Sequence, residues 1–360
     1  MARALRLAER GLYTTSPNPR VGCVLVRDGK VVGQGWHERA GEPHAEIHAL
    51  RAAGESARGA TAYITLEPCS HHGRTPPCAD ALINTGVARV VAAAQDPNPQ
   101  VAGQGFSVLR AAGIGVESGL METAARELNI GFFSRMTRGT PWVRSKIAAS
   151  LDGRTALANG ASQWITGTAA RQDVQRWRAR SCAVLAGIGT VLADNPQLNV
   201  RGIETSRQPL RVVVDSYLRL PPDARLLQIL RDGGNAGKAL VYTGAQDGVK
   251  IAALENAGAQ VAVLGDAGGR VDLRAMLRDL AARGCNEVLV EAGSGLNGSL
   301  LRAGLVDELV LYFAPQMLGD MARGMAGLGE LTALDQSVAL AWQDVRQVGQ
   351  DLRIVARVKK

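Results

Sequence analysis

Pro43-His44-Ala45-Glu46, then Pro68-Cys69 and, after eight intervening residues, Cys78 are the stretches that decide how the first part of this chain folds. One imidazole and two thiols are good zinc ligands, and three protein ligands leave the fourth tetrahedral position open to water, as in catalytic zinc sites. Glu46 is not needed as a ligand and could carry protons between that water and a leaving amine. The pattern therefore predicts a catalytic zinc site.

The segments around these residues alternate between helix and strand. The spacing of apolar residues predicts strands at 21–26, 31–36, 61–66 and 87–93, and helices at 2–10, 44–53, 78–85 and 122–129. Asp28-Gly29 joins the first two strands and is a strong hairpin signal. His44 and Glu46 then lie in the first turn of a helix, and Cys69 follows the end of a strand. This is where open α/β sheets collect ligands.

A purely structural zinc site is the main alternative, because a fourth protein ligand would close the coordination sphere. The candidates for that ligand are His37, His48, His71 and His72. His44 and His48 also lie four residues apart, as in a zinc protease helix, but that motif needs a glutamate directly after the first histidine. Ala45 occupies that position, so the protease interpretation is excluded.

The order His-x-Glu, Pro-Cys, Cys is the signature of zinc nucleobase deaminases, in which two residues ordinarily separate the cysteines. Residues 70–77 form an insertion at this point. The chain therefore departs from the common pattern in a way that can distinguish subfamilies.

A second α/β series begins after Arg138-Gly139-Thr140-Pro141, where we place a domain boundary. Its predicted strands are 142–149, 182–186, 210–214, 239–242, 260–264, 288–290, 309–314 and 352–358, and its predicted helices are 169–180, 273–282 and one after residue 298. Gly293-Ser-Gly-Leu-Asn-Gly298 follows a strand and precedes a helix, as a pyrophosphate-binding turn does. No acidic residue follows at the spacing of a plain dinucleotide-binding unit, so a simple strand–helix turn remains an alternative.

Composition describes an ordinary globular protein of 360 residues, with 46% hydrophobic and 21% charged residues. We find no apolar run of about 18 residues that could span a bilayer, and the charged N-terminus does not resemble a secretory signal. Cys23, Cys182 and Cys285 lie in apolar runs and are expected to be buried free thiols, as in a reducing cytoplasm. We therefore expect a cytoplasmic protein without membrane contact.

The net charge of +8 could indicate nucleic-acid binding, but aromatic residues make up only 4% of the chain. Few platforms are then available for stacking bases. A positive balance suits small phosphate-bearing ligands equally well. Charge alone does not separate these two classes.

Long motifs in both parts resemble one family, the bifunctional riboflavin-biosynthesis deaminases/reductases. In the first part the resemblance is carried by Asn18-Pro-Arg-Val-Gly-Cys-Val-Leu-Val26, Gly35-Trp-His37, Pro43-His-Ala-Glu46 and Pro68-Cys-Ser-His-His-Gly-Arg-Thr-Pro-Pro-Cys78, whose long cysteine spacing is a hallmark of that family. In the second part it is carried by Lys146-Ile-Ala-Ala-Ser-Leu-Asp-Gly153, Ser162-Gln-Trp-Ile-Thr166, Thr190-Val-Leu-Ala-Asp-Asn-Pro-Gln-Leu198, Val214-Asp-Ser216 and Glu291-Ala-Gly-Ser-Gly295.

The resemblance implies an α/β protein of two domains. Residues 1–140 would form a cytidine-deaminase-like three-layer α/β/α domain that binds one Zn²⁺. Residues 141–360 would form a dihydrofolate-reductase-like α/β domain that uses NADPH. The expected function is deamination of a diaminopyrimidinone ribosyl phosphate, followed by reduction of the ribosyl group to ribityl. The expected partners are this small pyrimidine substrate and further copies of the chain in a homo-oligomer, with no nucleic acid.

The resemblance also implies roles for individual residues. His44, Cys69 and Cys78 would bind the metal, with Glu46 as the catalytic proton shuttle. Deaminase substrate positions are Asn18, His37, His71 and Arg74. Cofactor positions are Ala148, Trp164, Thr190, Asp194, Ser216 and the loop Gly293, Ser294, Gly295, Leu296, Asn297, Gly298 and Ser299. Reductase substrate positions are Ser162, Arg178, Leu198, Arg201 and Glu291, and the two arginines suit the ribose phosphate.

Simpler interpretations remain for several of these residues. Trp164 could be core packing, Arg178 a solvated helix face beside Arg176 and Arg180, and Asp194-Asn195-Pro196 a turn. Ala292 stands where the family usually has a glycine, and alanine allows fewer backbone conformations.

Two other functions remain in play. The first is a tRNA or nucleoside deaminase with an appended reductase-like domain, against which the long cysteine spacing and the scarcity of aromatic residues count. The second is a non-catalytic zinc module that binds nucleic acid, which leaves Glu46 and the glycine-rich turn unexplained.

Overall fold

The chain forms two compact units, Met1–Thr140 and Pro141–Lys360. The computed structural model describes residues 1–70, 77–99, 101–231 and 238–359. Within those ranges no helix is long and apolar enough to cross a membrane. Cys23, Cys182 and Cys285 are buried thiols that form no disulfide, as expected.

Unit 1 alternates helices and strands. Its strands are β1 (Gly22–Arg27), β2 (Lys30–Trp36), β3 (Thr61–Ile64), β4 (Arg89–Ala92) and β5 (Gly115–Ser118). Its helices are α1 (Ala2–Ala8), α2 (Ala45–Ala53), α3 (Cys78–Thr85), α4 (Gln104–Ala111), α5 (Glu122–Leu128) and α6 (Ile130–Arg138). The sequence did not predict α4, β5 or α6.

The described strands of unit 1 form one mixed sheet in the order β2-β1-β3-β4-β5. β1 is antiparallel to both of its neighbours, whereas β3, β4 and β5 run parallel. Asp28 and Gly29 have φ angles of 50° and 72°, so the predicted hairpin turn uses two left-handed residues. β3 and β4 therefore end at the same edge, where the chain continues toward Cys69 and the cavity described below.

Helix α2 lies directly on the β1–β2 hairpin because two glycines of β2 face it. A Cβ at Gly33 would lie 2.3 Å from the Ala49 carbonyl oxygen, and one at Gly35 would lie 2.7 Å from that of Ala45. Any side chain at these positions would push the helix outward. The two glycines thus set the distance between the β1–β2 hairpin and the first turn of α2, which carries Glu46.

Unit 2 contains the remaining strands and helices. The strands are β6 (Trp142–Ser150), β7 (Arg154–Ala156), β8 (Ala183–Gly187), β9 (Leu210–Val214), β10 (Ala239–Thr243), β11 (Ala259–Val263), β12 (Glu287–Val290), β13 (Glu308–Ala314), β14 (Arg323–Gly324), β15 (Leu340–Val348) and β16 (Asp351–Val358). The helices are α7 (Thr168–Arg180), α8 (Ile188–Asp194), α9 (Arg225–Arg231), α10 (Gly248–Asn256), α11 (Leu273–Ala282) and α12 (Ser294–Arg302).

The large sheet of unit 2 has the order β11-β10-β9-β8-β12-β6-β13-β16-β15 in the described part of the chain. The seven strands from β11 to β13 are parallel, and β16 and β15 continue the sheet in antiparallel fashion. The inner strands β10, β9, β8 and β12 are largely buried, as in parallel sheets that are covered on both faces. The carboxyl ends of β9, β8, β12 and β6 therefore lie side by side.

Candidate active sites

The three predicted metal ligands of unit 1 converge. His44 is the N-cap of α2, Cys78 is the first residue of α3, and Cys69 follows β3. His44 Nδ1 lies 3.3 Å from Cys78 Sγ and 3.6 Å from Cys69 Sγ. Zinc bonds of about 2.0–2.3 Å at tetrahedral angles place neighbouring ligand atoms roughly 3.5–3.8 Å apart. The arrangement therefore fits a single zinc ion.

The group supplies three ligands and no fourth among the described residues. His37 lies edge-on to His44, with 5.2 Å between the ring centroids, but its two nitrogens contact Asn18 and Pro43 instead. His71 and His72 lie outside the described residues. The described residues thus form an open site, as a catalytic zinc requires.

Glu46 is buried beside the ligands, with 3% of its surface exposed. Burial raises the pKa of its carboxyl to about 7, and the charge of His44 opposes that shift. Its Oε2 atom is buried and accepts no hydrogen bond. A buried carboxylate oxygen without a partner in the protein is positioned to exchange a proton with a bound molecule.

Asn18 and His37 form a short chain of contacts beside the ligands. Asn18 Nδ2 lies 3.1 Å from His37 Nε2, and His37 Nδ1 lies 3.2 Å from the Pro43 carbonyl oxygen. Since a carbonyl only accepts, His37 Nδ1 carries the proton and Nε2 accepts from Asn18. Burial lowers the pKa of His37, which favours this neutral form. The Asn18 amide is thereby held in one orientation at the cavity.

These residues line a cavity of about 500 Å³. Its wall also contains residues that the sequence did not single out, namely Glu67, Asp96, Asn98, Val101, Phe132 and Arg135. The sequence did contain a signal for Glu67, because a charged residue stands between an apolar strand and Pro68. The predicted substrate residues His71 and Arg74 lie outside the described residues.

In unit 2, the predicted reductase residues follow neighbouring parallel strands. Ala148 is near the end of β6, Thr190 follows β8, Ser216 follows β9 and Glu291 follows β12. These four strands are adjacent in the sheet. The residues therefore lie along one edge, which is the usual ligand-binding edge of such sheets.

Arg178 and Glu291 form a buried pair at this edge. Arg178 Nε and Nη2 donate to the two Glu291 carboxylate oxygens at 2.6 and 2.9 Å, and Nη1 donates to the Asn199 carbonyl at 3.0 Å. Burial alone would raise the pKa of Glu291, but Arg178, with help from Lys146 and Arg201, lowers it to about 2. Arg178 is therefore no solvated surface residue.

Positive charge is concentrated around this pair. Burial and the neighbouring charges of Arg178 and Arg225 lower the pKa of Arg201, whose Nη1 donates to Gln197 at 2.9 Å. Burial also lowers the pKa of Lys146, which Glu291 partly offsets. Lys146 was not predicted as a site residue, although a charged residue within the mostly buried strand β6 was a signal.

The glycine-rich segment is mostly helical, so the expectation of a loop from Gly293 to Ser299 is wrong. α12 begins at Ser294 with Gly293 as its N-cap, which lies only three residues after the end of β12. A Cβ on Gly293 would meet Thr190 Oγ1 at 3.9 Å, and one on Gly187 would meet Leu296 Cδ2 at 3.3 Å. The first turns of α8 and α12 thus lie together, and their amide groups suit a pyrophosphate. Ala292 does not have a positive φ, so no glycine is required there.

The other predicted reductase residues have varied surroundings. Trp164 is 68% exposed, with Arg171 stacked 4.6 Å from its ring centroid, so it is not core packing. Asp194 accepts a long 3.5 Å contact from Gln163, the neighbour of Ser162. Leu198 is buried with φ of 52°, and Ser216 Oγ accepts from the Val271 amide at 3.1 Å. No direct contact joins Ser162 or Ser216 to the Arg178–Glu291 pair among the hydrogen bonds of the described residues.

Comparison with known proteins identifies the family. Residues 141–354 match the RibD C-terminal domain, and residues 1–94 match the cytidine and deoxycytidylate deaminase zinc-binding region. The riboflavin biosynthesis protein RibD of Escherichia coli is 50% identical over 98% of this chain and 96% of its own length. The chain belongs to the RibD family. The RibD protein of Haemophilus influenzae is 47% identical over 98% of this chain and 95% of its own.

Solved structures of RibD proteins agree with this assignment. Acinetobacter baumannii RibD superposes with a TM-score of 0.91 at 45% identity, covering 100% of this chain and 98% of that one. A Thermotoga maritima structure, described as a diaminohydroxyphosphoribosylaminopyrimidine deaminase/5-amino-6-(5-phosphoribosylamino)uracil reductase, gives 0.86 at 33% identity, with 100% and 97% coverage. The predicted cytidine-deaminase-like and reductase fold classes are confirmed.

The family assignment confirms the expected class of protein. The chain is a bifunctional enzyme of riboflavin biosynthesis, a zinc-dependent deaminase joined to an NADPH-dependent reductase that acts on small molecules. The comparisons do not favour a tRNA or nucleoside deaminase.

Proposed function

We propose that residues 1–140 hydrolytically deaminate 2,5-diamino-6-ribosylamino-4(3H)-pyrimidinone 5′-phosphate. We further propose that residues 141–360 then reduce the ribosyl group of 5-amino-6-(5-phosphoribosylamino)uracil with NADPH. The observation that carries the first step is the convergence of His44, Cys69 and Cys78 beside the unpartnered Oε2 of Glu46. The names of the relatives support the choice of substrates.

In the deaminase step, His44 Nδ1 and the thiolates of Cys69 and Cys78 would hold zinc. A zinc ion bound there would supply a Lewis acid that makes water nucleophilic near neutral pH. Glu46 would take a proton from the attacking water at Oε2 and pass it to the ring nitrogen. It would then take a second proton from the hydroxyl group formed on the attacked carbon and pass it to the amine, which leaves as ammonia as the C–N bond breaks. Burial raises the pKa of Glu46, which favours a group that must both accept and donate a proton.

The cavity wall orients the pyrimidine. His37 holds the Asn18 amide so that its oxygen can accept from a substrate amino group. We propose that His71 and Arg74 contact the phosphate of the deaminase substrate. The apolar wall residues Val21, Leu66 and Phe132 limit access of bulk water.

In the reductase step, the amides at the starts of α8 and α12 would hold the cofactor phosphates. NADPH bound there would supply hydride to the ribose C1′; the C1′–O4′ bond opens and O4′ takes a proton from solvent, which leaves a ribityl chain and NADP⁺. Arg201 supplies positive charge for the substrate phosphate, while Arg178 holds Glu291 in place and adds to that charge. We assign the remaining predicted cofactor and substrate positions to the same edge of the sheet.

The test is incubation of the purified chain with the diaminopyrimidinone ribosyl phosphate. We expect release of ammonia without NADPH, and oxidation of NADPH only after deamination. Oxidation of NADPH without prior release of ammonia would contradict the proposed order.

A homo-oligomer and a cytoplasmic location remain predictions. β15 supports the first, because it is an edge of the large sheet and exposes 63% of Trp342 and 55% of Val345. Light scattering of the purified chain would determine its mass in solution.

A further inference from the structure

Glu67 is a buried acidic residue that the mechanism does not use. It lies between β3 and the ligand Cys69, and only 4% of its surface is exposed. Its backbone amide donates to the Ala94 carbonyl at 2.9 Å, which fixes it beside the end of β4. A buried carboxylate is costly unless hydrogen bonds compensate for the lost water.

Three backbone amides provide that compensation. Glu67 Oε2 accepts from Asp96 N at 3.1 Å and from Gly103 N at 3.0 Å, and Oε1 accepts from Phe106 N at 3.3 Å. We call this set of contacts the Glu67 brace. The donors lie 29, 36 and 39 residues away in sequence, so the brace joins separate parts of unit 1.

The brace replaces an ordinary helix cap. Gly103 is the N-cap of α4 and has no side chain with which to cap it, whereas Phe106 is the third residue of the helix. Glu67 therefore satisfies an amide that a serine or aspartate at the N-cap would otherwise bind. Its negative charge also suits the positive end of the helix dipole.

The segment held by the brace forms part of the deaminase cavity wall. Asp96, Asn98 and Val101 line the cavity between the braced amides of Asp96 and Gly103. A Cβ on Gly105 would lie 2.0 Å from the Pro68 carbonyl oxygen, so α4 also touches the chain just before Cys69. The wall and the metal ligand are thus held against the same two residues, Glu67 and Pro68.

We infer that Glu67 is a positioning residue for the deaminase, which sets the distance between the metal site and the part of the cavity wall formed by Asp96, Asn98 and Val101. The inference rests on the proposed deaminase function of unit 1. Glu67 acts on the cavity wall and not on the metal ligands, because its carboxylate accepts from the backbone amides of Asp96 and Gly103. Substrate binding should therefore depend on Glu67 more than zinc binding or chemical turnover does.

Glu67→Gln tests this inference in the full-length, zinc-loaded protein. Glutamine has nearly the same shape, but its amide nitrogen would face one of the three N–H donors. We expect the KM for the diaminopyrimidinone ribosyl phosphate to rise about tenfold, because the substrate must then order a wall that one charge-assisted hydrogen bond no longer holds. The kcat should change less than about threefold, and zinc content and reductase activity should stay at the wild-type level.

Glu117→Gln is the matched control. Glu117 lies on β5, pairs with Arg89 at the surface and does not line the cavity. The KM of the Glu117→Gln variant should equal that of the wild type. Glu67→Asp keeps the charge but is shorter by one methylene, so it should raise KM in the same direction and serves if the glutamine variant does not fold.

Hydrogen exchange provides a second readout that does not need activity. The amides of Asp96, Gly103 and Phe106 should exchange slowly in the wild type and lose protection selectively in Glu67→Gln. An unchanged KM, or a fall in kcat together with loss of zinc, would overturn the inference. If the wild type released no ammonia, the proposed function would fail, and the exchange rates alone would still decide whether the brace exists.

Discussion

Glu46 combines burial, a raised pKa and an oxygen without a hydrogen-bond partner in one side chain. Glu46→Gln keeps the shape and leaves all three ligands in place, but it removes the group that carries the proton. We expect retained zinc and fold, with deamination lowered about 10²–10⁴-fold. The measurement is ammonia release with zinc content determined on the same sample.

Glu55→Gln is a suitable control for this variant, because Glu55 is exposed beyond the end of α2. It should deaminate at the wild-type rate. Substantial ammonia release by Glu46→Gln would remove Glu46 from the mechanism.

Arg201 and Arg178 lie in the same positive region but have different surroundings. Three nitrogens of Arg178 already bind Glu291 and Asn199, whereas Arg201 contacts Gln197 near the surface. Arg201→Ala should cost about 1.5–3 kcal/mol in binding of the ribosylaminouracil phosphate, or roughly ten- to a hundredfold in its KM. The KM for NADPH should change little.

Steady-state kinetics with each substrate varied in turn measures both constants. Arg176→Ala is the control, since the Arg176 side chain is 70% exposed on α7. The opposite pattern, with NADPH affinity lost and substrate affinity intact, would place Arg201 in the cofactor site.

At the scale of elements, α12 is held by a close backbone contact. A Cβ on Gly298 would lie 2.2 Å from the Gly327 carbonyl oxygen, whereas one on Gly295 would meet no atom within 4 Å. Gly298→Ala should therefore displace α12 or the backbone at Gly327. We expect it to lower the free energy of unfolding of unit 2 by about 1–3 kcal/mol.

Gly295→Ala is the matched comparison on the same helix. It should leave stability unchanged or raise it by about 0.5–1 kcal/mol, because alanine is the better helix former. Urea unfolding followed by tryptophan fluorescence measures both variants, since four of the five tryptophans belong to unit 2, namely Trp142, Trp164, Trp177 and Trp342. Equal unfolding midpoints would show that the contact at Gly298 is not required.

Elements with a buried apolar face were the predictable ones. The β1–β2 hairpin, α2, α3, α7 and the parallel strands of unit 2 were all expected within a few residues of their observed bounds. β15 was missed because its edge position leaves polar residues on much of its surface, and it exists through pairing with β16. α8 was missed because it is short and contains Gly189.

At the scale of the whole molecule, the two units each have their own sheet and core. We therefore expect the two activities to be separable. Cys69→Ser in the full chain removes a soft thiolate ligand, which should abolish deamination because zinc is no longer held for catalysis. Reduction of ribosylaminouracil phosphate that has already been deaminated should continue at the wild-type rate.

The comparison of the two rates on one preparation is the measurement. Cys23→Ser is the control, because Cys23 is a buried free thiol in β1 outside the ligand group. Loss of the reductase activity together with deamination in Cys69→Ser would show that the units do not act independently.

The sequence by itself determined the chemistry of the metal group, since the residue types and their order name the ligands and the shuttle. It also determined most strands and helices, because hydrophobic periodicity is a local property of the chain. Only the tertiary structure decided that Glu291 is held by Arg178, 113 residues away, and that Glu67 holds the cavity wall. Such contacts depend on strand order and register, which no local pattern specifies. The partners of the charged residues in both sites can therefore be identified only once the sheets are assembled.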